Sequence, residues 1–204
     1  MFRRALILGL LAVPPVGQAQ PTSREQREQR EQRDQPTTRE QRDPRRVQLD
    51  RLFEALRDAP DEAGGALVEQ RIRAFWAEAA SPAAVLLLRR GVRNMAARVP
   101  EEALEDFDAA IVLTPGAAEA WVLRAQAHAT MGDAAAAARD LQEALRLEPR
   151  HFGALMLLST LQEERGDHAA ALRSVEAALA LHPKLRGAEQ RRRDLRRRAF
   201  GEEM

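Results

Sequence analysis

An all-α stack of helix pairs is the fold class this sequence predicts, and three observations predict it. Pro115, Pro149 and Pro183 recur at a 34-residue spacing, and the segments before them align without gaps. The chain is 45% apolar with only 4% aromatic content, most of the apolar share being Ala and Leu, which favours helix over strand. Gly132-Asp133 and Gly166-Asp167 repeat a helix-stop, helix-start pair in the same phase.

The first element is a leader. Arg3 and Arg4 precede the apolar run Ala5–Val13, then Pro14-Pro15 and a small-x-small site at Gly17-Gln18-Ala19. Nine apolar residues reach about 14 Å as a helix, against roughly 30 Å of membrane hydrocarbon. Residues 1–19 are therefore expected to be a secretory signal cleaved after Ala19 rather than a membrane span. Residues 20–46 repeat Arg, Glu or Asp, and Gln with no apolar side chain to offset ordering entropy, and are expected to be a disordered linker.

Two amphipathic segments follow. Residues 47–58 carry Leu49, Leu52, Phe53 and Leu56, and residues 61–79 carry Leu67, Ile72, Phe75 and Trp76. With Pro60 between them, residues 47–79 are expected to be a degenerate repeat or N-terminal cap, a helix pair covering the end of the stack. Ser81-Pro82 then opens the first clear unit as a cap followed by the first helical position.

Three units occupy 84–117, 118–151 and 152–185. Gly91, Ala125 and Ser159 coincide in their first helices, and Ala103, Ala137 and Ala171 in their second. Small side chains facing one another permit close helix crossing. Leu87, Trp121 and Leu155, with Phe107, Leu141 and Val175, are expected to fill the space between units. The prolines end the second helices, since one inside a helix costs about 3 kcal/mol. Residues 186–204 form a polar capping helix with a thin stripe of Ala188, Leu195 and Ala199.

Charge and chemistry exclude several functions. Net charge is +1. Residues 47–185 hold 15 basic and 21 acidic side chains, whereas residues 186–204 hold seven Arg against four acids. An acidic body with a basic end does not resemble a nucleic-acid binder. Absence of Cys removes disulfides, thiolate catalysis and Cys-ligated metal. No phosphate-binding glycine loop, nucleotide fingerprint or zinc-protease motif is present. His128, His151, His168 and His182 lack helical i, i+4 pairing, and Glu105, Asp106 and Asp108 are expected on a solvated helix face. An enzyme, a cofactor and a metal are not expected.

These motifs resemble tetratricopeptide repeats across residues 84–185. The second unit carries the likeness most fully, through Trp121, Gly132-Asp133, Ala137, Leu141, Ala144 and Pro149. The first unit departs from it with Arg98-Val99-Pro100 in place of Gly-Asp. Asn94, His128 and Gln162 stand where the family usually has tyrosines, which implies thinner packing. The resemblance extends to small exported proteins of proteobacteria, which implies a periplasmic location and a role as a scaffold.

In that family the first helices line a concave groove that takes partner segments. By register the groove is expected to show Val85, Leu88, Val92 and Met95, then Glu119, Val122, Gln126 and Ala129, then Gly153, Met156, Thr160 and Glu163. The family members that clamp the C-terminal carboxylate of heat-shock proteins use basic and amide side chains; the matching places here hold Leu88, Val92, Leu123, Gly153 and Leu157. A partner protein's apolar or amphipathic segment is the expected ligand, with the 47–58 helix as the competing occupant of the apolar patch. A second reading places Arg191, Arg192, Arg193, Arg196, Arg197 and Arg198 against anionic lipid or another polyanion, a weak and salt-sensitive attachment.

Overall fold

The computed structural model describes residues 43–201, and every regular element among them is a helix. The leader and nearly all of the linker lie outside the described residues. The linker ends earlier than expected: Asp43 caps a helix by accepting a hydrogen bond from the Arg45 amide, and Pro44 fits the first turn because its missing N–H has no helical partner.

Nine helices are described: α1 (Pro44–Arg57), α2 (Glu62–Ala77), α3 (Pro82–Ala96), α4 (Pro100–Leu113), α5 (Ala118–Thr130), α6 (Ala134–Leu147), α7 (Phe152–Glu164), α8 (His168–Leu181) and α9 (Ala188–Phe200). The pairs α3/α4, α5/α6 and α7/α8 are close hairpins, stacked through α4 on α5 and α6 on α7. First helices of successive units also touch, α3 to α5 and α5 to α7, and no comparable set of contacts joins the second helices among the described residues. The stack therefore bends toward its first helices, which line the inner face.

The alanines carry this geometry. Ala103, Ala137 and Ala171 are fully buried, as are Ala110, Ala144 and Ala178, so the second helices can press into the first. Gly91 has a different partner from the one expected. A methyl group there would lie 2.4 Å from the Phe107 ring, so glycine makes room for phenylalanine. In the next unit Ala125 packs in one cluster with the smaller Leu141. One side chain shrinks where its partner grows.

The turn of the first unit matches the others despite its sequence. Arg98 adopts φ 63, where Gly132 and Gly166 stand at φ 83 and 77. The Val99, Asp133 and Asp167 amides each bond a carbonyl five residues back, on Asn94, His128 and Gln162. A left-handed arginine costs roughly 1 kcal/mol, held here by the surrounding hairpin.

At the far end α9 behaves as a fourth first helix. Ala188 and Leu195 are buried in the register of Ala120/Ala154 and Ala127/Leu161. At the near end the expected cap is absent. Leu86 shares the register of Ala120, Ala154 and Ala188, yet is 66% exposed. The positions of Ala127 and Ala136 hold Arg93 and Glu102, both exposed, which would be desolvated without partners beneath another unit. Instead, α1 and α2 cross the inner face: α2 rests on α5, and α1 reaches α8.

Candidate functional site

The inner face is built around one departure from the repeat. Where the first two units have Ala83-Ala84 and Ala117-Ala118, the third has His151-Phe152. Phe152 is fully buried against Phe53 of α1 and Trp76 of α2, with ring centroids 6.5 and 5.3 Å apart. Trp76 stacks on the His151 ring at 4.1 Å and 16°. Leu49, Leu56, Ile72 and Phe75 complete this cluster, with Leu155 and Met156 of α7 packed against it. The sequence places Leu155 between units and Met156 in the open groove, and does not single out Phe152. A bulky residue in a column of alanines was the available signal.

Charged groups fasten the same contact. His151 Nδ1 accepts the Ala154 amide as the cap of α7, so its Nε2–H donates to Glu119, 2.8 Å away. Burial alone would raise the Glu119 pKa, but the hydrogen bond from His151, with the Arg73 charge nearby, holds it below the usual carboxylate value. The His182 hydrogen bond, helped by Arg73 and opposed by partial burial, lowers Glu69. Arg150 joins the Asp50 carboxylate at 2.6 Å and lies over the Phe53 ring.

What the α1–α2 hairpin leaves open is a cleft of about 570 Å³ between α2, α3 and α5. Its α3 wall is Val85, Leu88 and Val92; its α2 wall includes Ala74 and Ala77. Leu123 and Glu119 of α5 form the floor. Arg89 and Arg93 stand one turn apart on the α3 rim, both exposed.

A polar ladder runs between the two helices of each unit. Arg90 grips the buried Asp106, and Asn94 Nδ2 donates to the same carboxylate at 3.1 Å. One unit on, Arg124 bonds both oxygens of Asp140 and also reaches Asp108, which raises the Arg124 pKa; His128 lies 3.8 Å from Asp140. In the third unit Ser174 donates to Gln162 at 2.7 Å. Asp106 is thus a buried partner and not part of a solvated face. Asn94, His128 and Gln162, which stand at the family's tyrosine positions, make polar contacts across their hairpins.

The expected groove residues divide. Val85, Leu88, Val92 and Glu119 come together in the cleft, although Leu88 is buried core and only Val92, 46% exposed, offers a large free surface. Val122 is buried between helices and unavailable, and Met95 packs against the first unit's core. Gln126 is exposed and Ala129 half-buried. In the third unit Met156 lies under the hairpin, and Gly153 packs beside Arg73. Thr160 accepts from Arg191, and Glu163 pairs with Arg191 and Arg198. The apolar patch is bordered by α2; α1, the competing occupant in the sequence reading, lies against α8.

The basic patch is similarly engaged. Arg192 and Arg193 pair with Glu189, Arg197 with Asp194, and Arg196 is not without a partner. Among the described residues no group of three or more His, Asp or Glu side chains is arranged to hold a metal ion.

The geometry agrees with comparison to known proteins. Residues 88–138 and 124–185 match the tetratricopeptide repeat family model, and the helix-pair stack supports that family for this region. The first tetratricopeptide domain of Spaghetti (RPAP3), bound to an HSP90 peptide, is similar in fold: TM-score 0.54, 20% identity, covering 56% of this chain and 91% of that one. The Arabidopsis OM64 domain gives 0.54 and 21%, covering 56% and 95%. A crystal structure of MamA gives 0.53 and 20%, covering 77% and 84%. At these identities the likeness shows the fold. No curated protein matches the chain.

Proposed function

We propose that this protein is an exported, non-catalytic scaffold of the periplasm that holds a segment of a partner protein in the cleft between α2, α3 and α5. One observation carries the reading. The inner face of the stack is closed by the chain's own hairpin over its third unit, yet stays open and apolar at Val85, Val92 and Leu123. An exposed apolar recess of this kind is a binding feature on a water-soluble surface. The RPAP3 domain holding an HSP90 peptide supports the same use of the fold. The anionic-surface reading has less support, because Arg191, Arg192, Arg193, Arg197 and Arg198 of α9 are paired with acids of α7 and α9.

A photo-crosslinking residue at Val92, in the full chain made by the cells that produce it, is expected to trap one defined protein. The same residue at Val112, exposed on the outer face, is expected to trap none. Equal products from both positions, or none from Val92, overturn the reading. N-terminal sequencing of the mature chain is expected to begin at Gln20 and tests export separately; retention of Met1 rejects it.

A further inference from the structure

We propose that the segment held in this cleft is an amphipathic α-helix whose flank toward α3 is acidic. This rests on the reading of the cleft as the partner site and specifies the chemistry of what enters it.

Helical conformation follows from hydrogen bonding. Both walls are helices whose backbone groups are already bonded internally, so an extended segment pressed between them would bury amides and carbonyls without partners. Between the walls Arg73 is committed to Glu69 and Glu119 to His151, and the uncommitted polar groups, Gln70, Arg89 and Arg93, are exposed side chains that cannot pair a whole run of buried backbone. A helix satisfies its own backbone and presents only side chains. Ala74 and Ala77, one turn apart on the α2 wall, let such a helix approach closely, and Val85, Leu88 and Val92 continue the apolar surface opposite.

Acidic character follows from charge. Arg89 and Arg93 have no carboxylate partner among the described residues, whereas Arg73 across the cleft is already paired. Two unpaired guanidinium groups one turn apart on a single rim complement carboxylates three or four residues apart on one flank of the occupant. The α2 side offers no such surplus, so the complementarity is one-sided.

Three labelled peptides of about 14 residues test this by fluorescence anisotropy with the full chain. The first has a leucine stripe at helical spacing and glutamates along one flank. The second has lysine for each glutamate. The third is the first with a central proline that breaks the helix. The acidic helix is expected to bind about fivefold more tightly than the basic one, the effect of two exposed ion pairs. The proline peptide is expected to lose binding. In the Arg89→Glu, Arg93→Glu double variant the preference should invert, and Val92→Glu should abolish binding. All three positions are exposed, so circular dichroism is expected to show unchanged helix content. Equal binding of acidic and basic peptides, an unmoved preference in the double variant, retained binding of the proline peptide, or binding that survives Val92→Glu overturns the proposal. If no peptide binds while Val92 still crosslinks a partner, the helix chemistry is wrong and the cleft remains the site. If crosslinking fails as well, both go together.

Discussion

The α1–α2 hairpin and α9 both flank the same three-unit stack, and they attach to it by opposite rules. Helix α9 continues the register: Ala188 and Leu195 sit where Ala154 and Leu161 sit one unit earlier, and the helix packs as a unit would. The hairpin ignores the register. Its large side chains, Phe53, Phe75 and Trp76, have no place at a junction built for alanines, and the first unit presents Arg93 and Glu102 at that junction. The hairpin docks instead where the repeat itself breaks, on His151 and Phe152. This stack thus accepts a neighbour end-on where small and apolar positions are kept, and receives a helix pair on its inner face where His151 and Phe152 replace them.

Removing the two anchors should separate these attachments. Phe152→Ala deletes a fully buried ring between the hairpin and the stack and is expected to destabilise the protein by about 4 kcal/mol. Leu195→Ala is expected to cost about 3 kcal/mol, because the buried side chain removed is smaller than a phenyl ring. Chemical denaturation measures both. Hydrogen exchange should show α1 and α2 opening in the first variant and α9 in the second. Matching exchange patterns would show that the flanks are not independent.

The stack's internal fit rests on matched side-chain sizes. Gly91→Ala drives a methyl into the Phe107 ring and should cost about 2 kcal/mol. Adding Phe107→Leu recreates the Ala125/Leu141 pairing of the second unit and should recover most of that loss. A double variant no better than the sum of its parts would contradict the compensation of size seen between units.

The smallest effect concerns pH. Glu69 and Glu119 are both held below their ordinary pKa of 4.5, so their folded state binds fewer protons than the unfolded chain. Their contribution is complete above that value and is lost as pH falls through the lowered folded values. The hairpin should therefore loosen in acid while α9 is affected less. Glu69→Gln is expected to cost about 1 kcal/mol near pH 6 and progressively less near pH 3. A loss of the same size at both pH values would show that the ionised Glu69 carboxylate and its His182 hydrogen bond play no part.

Much of this fold was legible before any coordinates. The 34-residue recurrence of Pro115, Pro149 and Pro183, with Gly132 and Gly166, encodes local events: where a helix stops, where the chain turns, which faces are small. Such signals are short-range, so one sequence displays them. Arg98 hid the first turn because a left-handed arginine is held by its hairpin and not by its own preference. Asp106 looked solvated because its partner Arg90 lies on another helix, and a charge is satisfied or exposed only once that helix is in place.

The candidate site was less legible, for a related reason. Sequence by itself determined the all-helical stack, the junction residues and the inner face to which Val85, Val92 and Glu119 belong, because periodicity fixes which way each side chain points. Only the tertiary structure decided that α1 and α2 lie across that face, that Val122 and Met156 are covered, and that the opening falls beside Arg89 and Arg93. Periodicity orients a residue within its own helix. What stands opposite it depends on where distant helices bury their largest apolar surfaces, here on the cluster around His151 and Phe152.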